Sequence, residues 1–402
     1  MAGELGSIIL VFAVAFLFFG LIPGIGAFFV RSRWRLFRRR IAESSLYPFL
    51  NYSDLSRRGD FLGRYRVFGH LEAIQGENSI WINNGSFTVE ADLAQAKLYF
   101  LPSFSAGTRT LPVEHLQEEI PDEQPGLVSW NQIFSLPAGT QMFIAGQLYS
   151  EDGRAVFRSQ GKDPLLVVLY DGERNTIVQR AVWGGRQKNE YWNQFTIASL
   201  LTGAFCMVLL AYIFLRSTPS RLPVLFAFSL AFFPISGLLP PGFILYYLYR
   251  FFWKRARMLR AERDLLRLPL RYYPESEALP PGSRATLPTG ESYLCSQDAD
   301  LLIEGELTIR SASLPSVREG KIDEIYLFGS YSEKEGQRWM QAPRDPMAEL
   351  VLVMGDPGAL AQSCNRRARM FALLSAAGVF SAVDVESVYP ALSLASYHSL
   401  IP

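Results

Sequence analysis

The chain has 402 residues, of which 49% are hydrophobic and 19% are charged, and its mean hydropathy is +0.10. Soluble domains carry roughly 25% charged residues, and disordered chains combine low hydrophobicity with high charge, so this composition excludes disorder and argues against a simple soluble enzyme. The formal net charge of +1 excludes a global field that attracts nucleic acid. We therefore expect a membrane protein without a nucleic-acid partner, and the length allows two domains besides membrane helices.

Cysteine and histidine are too rare and too scattered for a zinc cluster or a disulfide framework. The sequence contains three of each, namely Cys206, Cys295, Cys364, His70, His115 and His398. It has no phosphate loop with a Lys-Ser/Thr ending and no nucleophile elbow. We therefore predict no catalytic residue, no metal and no cofactor. The six lysines against thirty-three arginines are typical of a GC-rich genome and favour a bacterial source.

The first apolar segment, residues 7–30, carries no charge over 24 residues, enough to cross a hydrocarbon core of about 30 Å. A cleaved signal peptide has basic residues before its apolar core, whereas here six arginines follow the segment, within residues 31–40. Because positive charge marks the cytoplasmic side, we expect the N-terminus outside and residue 41 onward in the cytoplasm.

Two further apolar runs begin at residues 195 and 222. The second of them is too long for one straight helix, and it contains the pair Pro240–Pro241, which should break the helix. We therefore predict membrane helices at residues 195–215 and 222–241, and an interfacial basic helix at residues 242–268. Three crossings to this point fit the charge rule.

Two stretches of the chain resemble each other, residues 143–173 and residues 326–357. Each contains, in the same order, an apolar run ending in Gly, Tyr-Ser-Glu, a Gly turn, Asp-Pro and an apolar strand. The interval from the first Gly to Asp-Pro is 17 residues in one copy and 16 in the other. Two unrelated hairpins can share part of this order by chance, but five shared features favour a tandem duplication.

A duplication bears on the C-terminal segment, residues 370–397. This segment occupies the place that a membrane helix holds in the first copy, and basic residues precede it. Asp384 and Glu386 oppose insertion, since each costs about 2.5–3.5 kcal/mol near a helix centre. The segment is either a soluble amphipathic element or a fourth membrane helix.

The segments between the apolar runs alternate short β-like runs with Gly, Pro, Asn and Asp turns. Residues 80–89, IWINNGSFTV, place Asn84–Gly85 between alternating residues, which is typical of a β-hairpin. We expect two β-rich cytoplasmic domains, at residues 41–194 and 270–368. The predicted fold class is therefore α+β, with three or four transmembrane helices and two β-rich domains that arose by duplication.

Four short motifs are better explained by local structure than by chemistry. PTGES at residues 288–292 and GDPG at residues 355–358 share only glycine with phosphate loops and predict turns. The acidic run at residues 118–123 predicts a solvated loop rather than a metal site. GLIPGIG, residues 20–26, lies within the first apolar segment and predicts a kink or close helix packing.

The candidate functional residues lie at the ends of the apolar segments. Trp and Tyr suit headgroup depth, and each Lys or Arg near an anionic membrane surface contributes about 1 kcal/mol. The alternative role is a docking surface for a partner protein. The predicted interface or docking residues are Arg31, Arg33, Arg35, Arg38, Trp183, Arg186, Lys188, Tyr191, Trp192, Lys254, Arg255 and Arg257.

GTQMFIAGQLYSEDGRAVFRS at residues 139–159, followed by PLLVVLYDG at residues 164–172 and an apolar helix, resembles the closing part of a known domain. That domain lies beside the membrane, between two helices, in the GIDE/MULAN membrane-anchored ubiquitin ligases. The resemblance implies a β-rich domain between two anchors. The family's RING finger needs eight Cys/His ligands, and nothing after Phe195 supplies them, so ligase activity is not implied.

The expected function is that of a non-enzymatic, multi-pass protein of the bacterial cytoplasmic membrane. Its partners would be anionic lipid headgroups and an unidentified membrane or cytoplasmic protein. One alternative is an accessory component of a transporter or channel, with Asp384 and Glu386 as its only intramembrane charges. Another is a membrane-bound enzyme that brings Asp163 and Asp345 together in one cleft.

Overall fold

The computed structural model shows a mixed α+β protein with two compact units. One unit comprises Met1–Trp34, Gln187–Arg260 and Asn365–Pro402, and the other comprises Arg35–Arg186 and Ala261–Cys364. The structure describes residues 2–56, 59–76, 78–101, 125–128, 134, 136–151, 153–160, 164–172, 174–188, 193–217, 220–232, 234, 240–268, 284–286, 292–296, 302–304, 308–310, 325–341 and 351–375.

The α-helices are α1 (Ala2–Ala15), α2 (Ile22–Ser44), α3 (Tyr52–Leu55), α4 (Ile177–Gln187), α5 (Gln194–Ser217), α6 (Leu222–Ala231), α7 (Pro240–Leu266) and α8 (residues 357–375). A π-helical turn, Phe16–Leu21, joins α1 to α2, and a 3-10 turn, Arg174–Thr176, precedes α4. The strands of the first sheet are β1 (Phe61–Gln75), β2 (Ser79–Asn83), β3 (Thr88–Asp92), β4 (Lys97–Leu101), β5 (Gly126–Val128), β6 (Gln141–Glu151), β7 (Arg154–Arg158) and β8 (Leu166–Tyr170). Those of the second are β9 (Arg284–Thr286), β10 (Ser292–Ser296), β11 (Leu302–Glu304), β12 (Thr308–Arg310), β13 (Ile325–Lys334), β14 (Gln337–Gln341) and β15 (Val351–Met354).

The first sheet closes into a barrel because its longest strand, β1, has two neighbours on different parts of its length. Residues 61–70 pair with β6, and residues 70–75 pair with β2. The ring runs β1-β2-β3-β7-β6 and back to β1, with β3 and β7 parallel and the other neighbours antiparallel. This is the connectivity of a five-stranded Greek-key barrel of the OB type. Strands β8, β4 and β5 extend the sheet beyond β6.

The barrel core follows from the alternation of apolar residues along the strands. Tyr65, Val67 and Leu71 of β1 point inward and pack with apolar residues of β2, β6 and β8. Between them, Gly69 lies so close to β2 that a Cβ atom would be 2.5 Å from Ile82 Cγ2. The predicted hairpin at residues 80–89 is β2–β3, whose turn contains Gly85 at a φ of +94°.

The second sheet has the same strand pairings as part of the first. The antiparallel pairs β1–β6 and β6–β7 correspond to β10–β13 and β13–β14, and the parallel pairs β3–β7 and β4–β8 correspond to β11–β14 and β12–β15. Strand β14 begins and ends 183 residues after β7. Residues 297–301, between β10 and β11, lie outside the described residues.

Two helices in the described part of the chain are long and apolar enough to cross a membrane, Glu4–Ser44 and Phe195–Ser217. The first is continuous through α1, the π-helical turn and α2 over 41 residues. A third apolar helix, α6, has only ten residues and ends at Ala231, whereas the sequence predicts a helix to residue 241. Of the rest of that predicted helix, residues 233 and 235–239 lie outside the described residues. Of the predicted segment at residues 370–397, the part after residue 375 lies outside the described residues.

The π-helical turn follows from Pro23. The Ile22 N–H donates to the carbonyl of Leu17, five residues back, and in this register the next donor would be the N–H of residue 23. Proline has none, so the Phe18 carbonyl lacks an intrahelical partner. Ser199 of α5 donates its hydroxyl to that carbonyl oxygen at 2.5 Å.

Two glycines let this helix and α5 approach closely, and of these only Gly26 belongs to the motif at residues 20–26, which predicts a kink or close helix packing. A Cβ on Gly203 would lie 2.6 Å from the Cβ of Phe18, and a Cβ on Gly26 would lie 2.4 Å from Asn193 Oδ1. Asn193 also donates from Nδ2 to the carbonyl of Pro23 at 3.0 Å. The contact therefore combines close packing with interhelical hydrogen bonds.

Candidate functional site

Helices α2 and α4 lie on the outer surface of the first sheet. The ring of Phe37 on α2 packs on that of Tyr99 in β4, with 4.2 Å between their centroids. On α4, Arg180 donates to the carbonyl oxygens of Leu101 and Asp171. Leu101 is the last residue of β4, and Asp171 directly follows the parallel strand β8. One buried guanidinium thus ties α4 to the edge where these strands end.

An arginine cluster, formed by Arg38, Arg186 and Arg263, surrounds the carboxylate of Asp264 on α7. Oδ2 accepts from Nε and Nη2 of Arg186 at 2.9 and 2.5 Å, and Oδ1 accepts from Nε and Nη2 of Arg263 at 3.1 and 2.7 Å. Nε of Arg38 lies 3.8 Å from Oδ2. The side chains of Arg38, Arg186 and Asp264 are only 9%, 12% and 12% exposed.

Arg38 makes its one short hydrogen bond to α4 rather than to Asp264. Its Nη1 donates to the carbonyl oxygen of Gly185 at 2.7 Å. This carbonyl lies in the last turn of α4, where carbonyl groups lack intrahelical donors and the helix dipole favours a cation. A Cβ on Gly185 would lie 2.8 Å from Cγ of Arg38, so the glycine is needed for this approach.

The electrostatics of the cluster are unbalanced, with three guanidinium groups against one carboxylate. Burial by itself raises the pKa of the Asp264 carboxyl, but the charges and hydrogen bonds of Arg186 and Arg263 outweigh it and hold that pKa below its usual range. Asp264 is therefore ionised at neutral pH. The positive charges of Arg186, Arg35 and Arg263 all act against that of Arg38.

The predicted interface residues separate into buried and exposed groups. Arg38 and Arg186 belong to the buried arginine cluster, and Trp183, Lys188 and Arg257 are half-buried. The exposed ones are Arg31, Arg33, Arg35, Lys254 and Arg255. Tyr191 and Trp192 lie outside the described residues.

Sequence reasoning missed Asp264, because its partner Arg186 is 78 positions away and nothing local marks the pair. The sequence around Asp264 predicts a basic helix, since arginines dominate it. The paired glycines Gly184 and Gly185 were the available signal. A Cβ on Gly184 would lie 2.6 Å from Cδ of Pro125, so both glycines mark close packing against α4.

The other motifs show no chemistry in the part of the chain that the structure describes. GDPG begins α8, where the Asp356 carboxylate accepts from the N–H groups of Gly358 and Ala359 at 2.9 and 3.1 Å, as a helix N-cap does. Among the described residues, no three His, Cys, Asp or Glu side chains are grouped as a metal site requires. Asp163, Asp345, the acidic run at residues 118–123 and most of PTGES lie outside the described residues.

Comparisons with known proteins give no relative for this chain. No model of a known family, no characterised protein and no solved structure matches it.

Proposed function

We propose that this chain is a non-enzymatic, multi-pass membrane protein that presents two β modules at the cytoplasmic face and binds a protein partner there. The observation that carries the proposal is the continuous helix Glu4–Ser44. Residues 7–30 of this helix are uncharged, while Phe37 and Arg38 near its other end contact β4 and α4. One helix thus contains both the proposed membrane anchor and residues that pack in a domain. This arrangement suits a binding protein more than an enzyme.

We propose that the two modules arose by tandem duplication. The shared pairings support this, because the register is equivalent as well as the strand order. Residues 142–145 of β6 pair with residues 166–169, and residues 325–328 of β13 pair with residues 351–354 in the same antiparallel sense. Each pairing is followed by a helix, α4 or α8.

The third and fourth crossings remain part of the proposal. Helix α6, with ten residues, is shorter than the roughly 20 that a crossing needs, so a third crossing requires residues after Ala231. The exposed basic residues Arg31, Arg33, Lys254 and Arg255 would contact anionic headgroups.

The transporter alternative receives less support. Ser199 and Asn193, polar side chains beside the apolar helices, bond to backbone carbonyls of the neighbouring helix. Their hydrogen-bonding capacity thus serves packing rather than a pathway for a solute. The enzyme alternative depends on Asp163 and Asp345, outside the described residues, and the resemblance to GIDE/MULAN ligases stays a prediction.

Cysteine accessibility in intact cells tests the orientation. In a chain with Cys206, Cys295 and Cys364 replaced by Ser, single cysteines are introduced at Arg154 and Gln337, which are exposed and equivalent in the two modules. We expect an impermeant maleimide to label neither position until the membrane is permeabilised, while Gly3→Cys is labelled in intact cells. Labelling of either module in intact cells would place it outside and overturn the proposal.

Photo-crosslinking tests the binding role. A photoreactive amino acid at Arg154 or Gln337, placed one at a time in living cells, should give a discrete protein adduct at one module. A smear of adducts at both positions, or none at any exposed position of either module, would contradict a docking function.

A further inference from the structure

The geometry of the arginine cluster points to a binding site for a phosphate group. We propose that Arg38, together with Arg186 and Arg263, binds a phosphate oxyanion beside Asp264. The phosphate belongs either to an anionic lipid headgroup, which rests on the proposed membrane anchoring, or to a free phosphate ion, which does not.

Arg38 has unused hydrogen-bonding capacity. A guanidinium carries five N–H donors, and the hydrogen bond of Arg38 to Gly185 uses one of them. Its 3.8 Å approach to Asp264 is too long for a hydrogen bond, and the residue as a whole is only 8% exposed. Unlike Nη1 of Arg40, no nitrogen of Arg38 is both buried and without a partner, so its remaining N–H groups can meet an anion from solvent.

Asp264 cannot supply the remaining hydrogen-bond acceptors for Arg38. Each of its oxygens already accepts two hydrogen bonds, Oδ2 from Arg186 and Oδ1 from Arg263. A second anion would neutralise the remaining charge of the arginine cluster. Phosphate fits best, because its oxygens form paired hydrogen bonds with the planar fork of arginine.

A second, exposed arginine lies beside the site. Arg35 lies one turn before Arg38 on α2, is exposed, and is near enough for its charge to act on that of Arg38. It can attract an anion from solvent towards the buried site. Arg38 is about 12 Å along the helix from residue 30, whereas the headgroup layer on one side of a membrane is about 5–8 Å thick. A free phosphate therefore reaches the site from solvent, and a lipid phosphate reaches it only if the helix is tilted.

Two titrations of the full chain in nanodiscs separate these sources. In phosphatidylcholine nanodiscs, inorganic phosphate is titrated by calorimetry. In nanodiscs that also contain phosphatidylglycerol, native mass spectrometry counts the phosphatidylglycerol molecules that stay on the protein. We expect saturable one-site binding in one arm, which identifies the source.

Variants assign the binding to Arg38. We expect Arg38→Gln to weaken binding about tenfold or more and Arg38→Lys to recover part of it. The matched control is Arg39→Gln, on the same helix, because Arg39 is exposed and already paired with Glu43 at 2.6 Å. Binding that is absent in both arms, equal in Arg38→Gln and wild type, or equally lost in Arg39→Gln would overturn the proposal.

A measurement on the wild type keeps the test independent of folding in the variants. Phenylglyoxal modifies accessible guanidinium groups, and mass spectrometry locates the product at Arg38. Added phosphate or phosphatidylglycerol should slow the modification of Arg38 but not of Arg39, and equal rates with and without the anion would contradict the site. The cysteine labelling does not depend on Arg38, so failure of the phosphate site and failure of the proposed orientation give different results.

Discussion

At the scale of single residues, Asp264 is the group on which the arginine cluster depends. Its carboxylate accepts hydrogen bonds from Arg186 and Arg263, and it is the nearest acidic group to Arg38 in the ion pairs of the described chain. Removing one partner of a buried ion pair leaves uncompensated charge, which costs more than the pair itself contributes.

Replacing Asp264 by Asn should lower the free energy of unfolding by about 3–5 kcal/mol, because the buried guanidinium groups then lack a counter-charge. The control is Glu43→Gln, which removes the exposed partner of Arg39 and should cost less than about 1 kcal/mol. Both are measured as thermal unfolding of the purified full chain. Equal costs for the two variants would show that the cluster contributes no more than a surface pair.

The lowered pKa of Asp264 gives stability a pH dependence with a definite sign. A carboxyl whose pKa is lower in the folded state stabilises the fold above its unfolded value, about 3.9, and this contribution is lost as pH falls through the folded value. Wild type should therefore lose stability below about pH 4 more steeply than Asp264→Asn. Parallel stability curves for the two proteins in acid would contradict this assignment.

At the scale of elements, the contact between α5 and the first helix combines a hydrogen bond with close packing. Ser199 supplies the donor that Pro23 cannot supply to the Phe18 carbonyl. The sequence predicts a kink or close packing here from its glycines and proline. It cannot predict which group replaces the missing donor at the Phe18 carbonyl, because Ser199 is 181 positions away.

Ser199→Ala should destabilise the protein by about 1 kcal/mol, the size of an interhelical hydrogen bond of this kind. In a Pro23→Ala background the chain regains an N–H at position 23, so the same change should cost less. Ser217→Ala is the matched control, since its hydroxyl bonds within the exposed last turn of α5. A double-mutant cycle in unfolding experiments measures the coupling between Ser199 and Pro23. Strict additivity would show that Ser199 does not replace the donor that Pro23 lacks.

Gly203→Ala should destabilise the same contact by about 1–3 kcal/mol, because its Cβ would overlap Phe18 and Phe19. Gly6→Ala is the matched control in a helix where nothing lies within 4 Å of the added carbon, and there alanine should be neutral or stabilising. The thermal unfolding midpoints of the two variants provide the comparison. A stabilised Gly203→Ala would mean that the helices are not in close contact.

At the scale of the whole molecule, the sequence predicts the α+β class better than it predicts the details of the two sheets. Hydrophobic alternation and Asn84–Gly85 suffice for the β2–β3 hairpin. The Asp-Pro pairs are not at equivalent distances from the strands that follow them in the two similar stretches. Strand β8 begins three residues after Asp163, and β15 begins six residues after Asp345. Turn residues mark the beginning of a strand only loosely, whereas strand pairing fixes register.

The two modules should differ in local stability. The first sheet closes into a barrel, while in the described part of the second sheet no strand joins β9 to β11. Amide hydrogens of residues 142–145 should therefore exchange with deuterium more slowly than those of the equivalent residues 325–328. Mass spectrometry on the full chain gives both rates in one experiment, and faster exchange in the first module would contradict a stabilising role for closure.

The π-helical turn has a consequence for the helix that contains it. A π turn holds one residue more than an α turn of the same rise, so it shifts the phase of everything that follows by about 100°. Deleting one residue within Phe16–Leu21 can restore regular α geometry there, and both flanking faces then keep their angular relation. A deletion farther along, between the turn and Arg38, has no such reserve and turns the guanidinium away from α4. The helix therefore tolerates a one-residue deletion within the π-helical turn, but not one between that turn and Arg38.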